Sequence, residues 1–166
     1  MSNIFFNVNT DQFTFLIGAI FVNNYTRNIK YKYYLVNNIT LQEEKRIFQE
    51  FITDVNVYSK LSNSKIPIFH WGHIENSTFN KIKTKHLINH RLNFIDLNTQ
   101  FKKAHIFIRG AFNYSLKSVG KALYKQLLIK TKWEEDIGNG LDAMVEYYML
   151  KDITDNNTKI IKNEIN

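Results

Sequence analysis

The sequence predicts an α/β domain: a three-stranded antiparallel meander followed by βαβ units in a mixed five-stranded sheet, with helices on both faces. Three observations predict it. Three apolar-rich runs near the N-terminus are joined by short polar turns, which suits a meander. The middle of the chain alternates strand and helix patterns, which requires crossover helices and partly parallel strands. Of 166 residues 44% are hydrophobic and 14% aromatic, enough for one sizeable core, and a single proline with six glycines leaves no linker. A single domain over 1–166 is expected, with no internal repeat.

The elements follow in order. Residues 3–8 form an apolar run read as a strand. Residues 13–22, rich in Phe, Ile and Val, make a second, and Asn23-Asn24 start a turn. Residues 30–36 alternate charge and aromatics and make a third. Thr40-Leu41-Gln42-Glu43 has the form of a capping box, in which hydroxyl and carboxylate satisfy free backbone donors at a helix start. Leu41, Ile47, Phe48, Phe51, Ile52 and Val55 then recur at helical spacing, predicting a helix over 41–58 and a polar loop over 59–64. A strand over 66–71, a helix over 74–90 and a strand over 92–97 come next. Residues 110–114 read as a loop and 115–128 as a helix with Ser115 as N-cap. A turn at 138–140, a helix over 141–150 and a last helical piece over 159–166 complete the reading.

The chain has no cysteine, which excludes disulfides and cysteine zinc sites and is compatible with a reducing compartment. Residues 13–22 are too short to span a bilayer, so a soluble intracellular protein without a membrane partner is expected. The formal charge of +7 favours polyanionic partners. A composition rich in Lys, Asn, Ile, Phe and Tyr together weakens that inference.

Several stretches resemble one family. Ile4-Phe5-Phe6-Asn7-Val8-Asn9-Thr10 is similar to a first strand in which Asp-x-Glu follows two apolar residues, and Phe15-Leu16-Ile17-Gly18 to the second strand. Glu43-Glu44 opens the first helix. Phe69-His70-Trp71-Gly72-His73-Ile74-Glu75 resembles a motif in which an acid follows an aromatic strand end, and Phe94-Ile95-Asp96-Leu97 the next strand. Ser115-Leu116-Lys117-Ser118-Val119-Gly120 and Gly140-Leu141-Asp142-Ala143-Met144 resemble the helical region after it. Ile161-Lys162-Asn163-Glu164-Ile165-Asn166 resembles the last motif, Tyr-Asn-x-x-Asp. In order and spacing these stretches resemble the YprB-type ribonuclease H-like family, a branch of the DEDD 3′–5′ exonuclease superfamily. The chain stops inside that last motif, so a C-terminal truncation is expected.

The resemblance implies metal-dependent phosphodiester hydrolysis on two Mg2+ or Mn2+ ions about 4 Å apart, held by carboxylates. At the family's acid positions this chain has Asn7, Asn9, Glu75 and Asn166, with Lys162 at the tyrosine position. Three acids are amides, and an aromatic is a cation. An amide oxygen can face a metal but carries no charge, so weak metal binding and little or no hydrolysis are expected. Tyr148 and Asp152, also four apart, are an alternative last motif. The 162–166 placement is preferred because the 140–144 pattern precedes the last motif by a whole helix in this family. Asp11 reaches the site only if the first strand continues.

The same residues have plainer readings. Asn7 and Asn9 suit a polar strand end. Glu75 suits the first turn of a helix, where the dipole favours an acid. Asp96 suits a helix N-cap better than a metal contact, although it remains a weak metal candidate beside Glu75. His86 and His90, four apart on one predicted helix face, lack a third ligand, and a solvated face is preferred. Trp71 and Tyr114 fit the core or a pocket rim. Tyr33, Tyr34 and Trp133 fit core packing better than base stacking. Lys117, Lys121 and Lys125 at i, i+4 spacing form one positive stripe, either solvated or touching phosphate. The expected function is a nuclease-family domain that binds single-stranded DNA or RNA with impaired catalysis. An active exonuclease using Glu75, Asp96 and Asp152 is a second reading, and a protein-interaction module a third.

Overall fold

The computed structural model describes residues 2–6, 13–23, 26–62 and 65–132. These all belong to the unit Met1–Trp133, and Glu134–Asn166 is a separate unit. The readings at 7–12, at Trp133 and over 134–166 therefore lie outside the described residues.

Strands β1 (Ser2–Phe6), β2 (Leu16–Asn23) and β3 (Asn28–Leu35) pair antiparallel in sequence order. Strand β4 (Pro67–His70) joins β1 in parallel, with Ser2 opposite Ile68, and β5 (Asn93–Asp96) pairs parallel with β4. The sheet order is β3-β2-β1-β4-β5. Because β1, β4 and β5 run the same way, their C-terminal ends leave the sheet at one end. Open α/β sheets bind ligands outside such ends.

Alternation in β2 sends Ile17, Ala19 and Phe21 to the buried face. On the edge strand β3 only Tyr34 is buried, while Ile29, Tyr31, Tyr33 and Leu35 are exposed. Helix α1 (Leu41–Ser62) covers the buried face with Ile47, Phe48, Phe51, Ile52 and Val55. Phe21 stacks on Tyr58 with ring centroids 4.6 Å apart, and Tyr34 meets Phe51 edge-on at 5.7 Å. Two expectations for α1 need correction. Leu41 is exposed, because it lies at the mouth of the helix before the stripe reaches the sheet. The helix also continues to Ser62, through most of the expected loop, because polar residues on a solvent face do not stop a helix.

The capping box forms by half. Thr40 Oγ1 accepts from the Glu43 backbone N–H at 3.2 Å. The Glu43 carboxylate instead accepts from Asn37 N–H at 2.7 Å and from Arg46. The Arg46 bonds, then the Asn37 bond, pull the Glu43 carboxyl down to about 2.

One acid in α1 is not at the surface. Glu44 is fully buried and carries three bonds to other elements. Its Oε1 accepts from Thr14 N–H at 2.7 Å. Its Oε2 faces Lys85 Nζ at 2.7 Å and His86 Nε2 at 2.6 Å. A buried carboxylate is tolerated only with such partners. This one joins α1, the entry to β2 and the end of helix α2 (Ile74–Lys85).

Helix α2 ends at Lys85, short of the expected His90. His86 is its C-cap, Leu87 has φ 54°, and Ile88 N–H reaches back to Lys83 O at 2.9 Å. This is a Schellman ending with leucine in the left-handed position glycine usually takes. Helices α3 (Leu97–Lys103) and α4 (Leu116–Lys125) end the same way, on His105 at φ 50° and Leu127 at φ 59°. Thus α4 stops before the expected Leu128, and α3 starts at the N-cap expected at Asp96 although the sequence pattern does not show its extent. His86 and His90 do not share a helix face, and His86 is bonded to Glu44 rather than solvated.

Two outcomes test this account. Glu44→Ala leaves a backbone N–H, the Lys85 ammonium and the His86 ring without their buried partner, so urea unfolding should show a loss of about 3–5 kcal/mol. Leu87→Gly relieves a left-handed leucine that is almost fully exposed. It should raise the denaturation midpoint slightly, by up to about 1 kcal/mol.

Candidate functional site

The end of the sheet where β4 and β5 stop carries the described site residues. Glu75 stands in the first turn of α2, is buried, and points back to the end of β4. Its Oε2 lies 3.4 Å from Nδ1 of the buried His70. Neither atom has a partner at ordinary hydrogen-bond distance. Burial pushes the His70 imidazole down, but the Glu75 carboxylate outweighs it, helped by Gly72 and Asp96, and the net shift is upward. The pair therefore favours an imidazolium facing a carboxylate.

Asp96 closes β5 directly opposite His70. Its Oδ1 accepts from Gly72 N–H at 2.7 Å and Asn98 N–H at 2.9 Å, and its Oδ2 accepts from Thr99 Oγ1 at 2.6 Å. Burial raises the Asp96 carboxyl, but these donors outweigh it and hold it below the usual range. Asp96 is thus the N-cap of α3, and it also pins the loop that launches α2. Gly72 serves that loop with φ 96°, a conformation open to glycine. Trp71 Nε1 donates to Tyr114 O at 2.7 Å, and Asn98 Nδ2 donates to the same oxygen at 2.5 Å. Trp71 also packs against Phe101 with centroids 5.0 Å apart. Trp71 and Tyr114 are therefore bonded to each other where β4 turns toward α2.

The structure thus brings Glu75 and Asp96 to one end of the sheet, together with His70. The sequence signal for His70 was its place at a strand end five residues before the acid. Asn7, Asn9, Asp11, Tyr148, Asp152, Lys162 and Asn166 lie outside the described residues. Lys117 and Lys125 are exposed on α4 and Lys121 is partly buried, while Val119 and Ala122 turn inward. Tyr33 is exposed, and Tyr34 is buried with its hydroxyl donating to Asp54 Oδ2 at 2.5 Å. A groove of about 650 Å³ between β3 and α1 is lined by Tyr31, Tyr33, Arg46 and Asp54 among others. Its charges are largely matched, since Lys32 pairs with Asp54 and Arg46 with Glu50.

Dications of the kind the expected chemistry uses need several anionic oxygens. Among the described residues Glu75 offers one unpartnered oxygen, while both Asp96 oxygens already accept hydrogen bonds. No group of three or more His, Asp or Glu side chains converges among those residues. The described part of the site thus offers a pair of ions few free anionic oxygens. Also among the described residues, no helix is long and apolar enough to cross a membrane.

A family model for the RNase H superfamily matches residues 4–161, and the chain belongs to that superfamily. No curated protein and no solved structure matches it.

The His70–Glu75 pair gives a pH test. The folded histidine holds its proton more tightly than the unfolded one, whose ordinary value is 6.5. Its stabilisation is complete below about pH 6.5 and is lost as pH rises through the folded value. Thermal unfolding between about pH 6 and 8 should show stability falling with pH by at most about 1.4 kcal/mol per unit from this group. The slope should flatten in Glu75→Gln.

Proposed function

We propose that this member of the RNase H superfamily is a YprB-type domain, related to the DEDD 3′–5′ exonucleases. Its role is to bind single-stranded DNA or RNA, with metal-dependent hydrolysis lost or much reduced. One observation carries the reading. The acid retained from the family pattern, Glu75, stands at the shared C-terminal end of the parallel strands, while the first-strand acid positions that follow β1 in sequence are Asn7 and Asn9. With Asn166 and Lys162 at the last motif, a two-ion centre for Mg2+ or Mn2+ loses three anions and gains a cation. Glu75 is turned toward His70, its Oε2 3.4 Å from the imidazole Nδ1. The family match over residues 4–161 supports reading 1–166 as one ribonuclease H-like domain with helices on both sheet faces. The positive charge and the Lys117, Lys121, Lys125 stripe support phosphate contact. The absence of cysteine suits a soluble, intracellular setting.

The decisive experiment rebuilds the acids. A chain carrying Asn7→Asp, Asn9→Glu, Asn166→Asp and Lys162→Tyr should gain manganese-dependent nuclease activity that the parent lacks. A folded quadruple variant without activity sinks the alignment. Parent activity that needs manganese and vanishes in Glu75→Gln would replace this reading with an active exonuclease.

A further inference from the structure

The positive surplus of the chain is concentrated. Residues 97–132 hold eight Lys and Arg and no Asp or Glu, leaving fourteen cations against fifteen acids elsewhere. That segment is α3, the loop after it, α4 and the seven residues beyond, with six of the cations within the first three parts, and the structure ties these three together. Phe112 N–H donates to Ser118 Oγ at 2.9 Å, and Gln126 Nε2 donates to Arg109 O. Lys102 Nζ lies 5.8 Å from the Tyr114 ring centroid, and Phe107 lies 6.0 Å from the same ring. The Trp71 bond to Tyr114 O anchors this unit against the turn that leads into α2 and Glu75.

On this held loop two large aromatic rings are bare. Phe107 is 78% exposed and Phe112 98% exposed. Burying a phenylalanine is favourable by roughly 1.5–3 kcal/mol, so rings left in water on an ordered loop call for a partner. Cations interleaved with exposed rings are the pattern that holds unpaired nucleotides, phosphates on the charges and bases on the ring faces. An acidic peptide would satisfy the charges and leave the rings unused. A duplex hides its base faces inside the stack.

We propose that α3, its following loop and α4 form a strand-binding surface for single-stranded nucleic acid. Phe107 and Phe112 stack on unpaired bases, and Lys102, Arg109 and Lys117 contact phosphates. The strand is thereby led toward the Glu75 end of the sheet. This inference rests on the nucleic-acid reading above and adds the surface and its two aromatic anchors.

The test is fluorescence anisotropy of the full chain with a labelled oligothymidylate of about fifteen nucleotides and a duplex of equal length, across a salt series. The parent should bind the single strand more tightly than the duplex. Phe107→Ala with Phe112→Ala should weaken single-strand binding roughly tenfold or more and leave the salt dependence unchanged. Lys102→Ala with Arg109→Ala should flatten the salt slope by roughly 0.7 per phosphate contact removed. Phe112→Trp should bind like the parent and show its indole fluorescence quenched by the oligonucleotide. Parent binding with both Ala variants unchanged would overturn this surface alone. A parent that binds no nucleic acid at low salt would overturn the functional reading and this surface together. Competition by oligoglutamate as strong as by the oligonucleotide would overturn the stacking role.

Discussion

The fold depends on a carboxylate that water does not reach. Glu44 lies inside α1 at full burial, and its two oxygens hold Thr14 N–H, Lys85 and His86. These partners come from the entry to β2 and the end of α2. A single anion thereby fixes where three elements meet. Apolar packing around it is non-directional and would tolerate sliding. The bonds to Glu44 have defined lengths and do not. The buried stripe of α1 is set against β2 by the same contact, so its register and the polar clasp agree.

A second polar centre does comparable work at the functional end. Asp96 caps α3 and holds Gly72, so the turn from β4 into α2 cannot move independently of β5. That turn places Glu75 against His70 in a buried pair. The pair is spaced more widely than a normal hydrogen bond. An acid placed in this way already faces an imidazole of its own chain, whose hold on its proton it strengthens. The proposed function, a site that holds a strand more readily than it cuts one, draws on this pairing. Tyr114, tied to Trp71 and Asn98, links the centre to the acid-free segment.

Much of this was legible from residue order. The strands around Ile17 and Ile68, the α1 stripe through Phe48 and Phe51, and the Ser115 and Asp96 caps followed from spacing and side-chain chemistry. Helix ends were not legible. Leu87, His105 and Leu127 occupy left-handed positions where glycine normally announces a stop, so α2 and α4 looked longer than they are. Helix α3 was announced only by its Asp96 cap, because seven residues with few apolar positions carry little periodicity. Glu44 read as an ordinary first-turn acid beside Glu43, and no local pattern separates the two. Their fates differ because adjacent helical positions point about 100° apart, one to Asn37 and Arg46 near solvent, the other into the core.

The sequence by itself determined the α/β class, the element order and which side chains are available as acids or amides, Asn7, Asn9 and Asn166 among the amides and Glu75 among the acids. These are local or compositional properties, written in periodicity and in which side chains carry charge. Only the tertiary structure decided who faces whom: His70 against Glu75, His86 and Lys85 on Glu44, Asp96 across to Gly72, and the bare rings of Phe107 and Phe112. Such pairings join residues far apart in the chain. They depend on the geometry of sheet and helices, which no window of neighbouring residues contains.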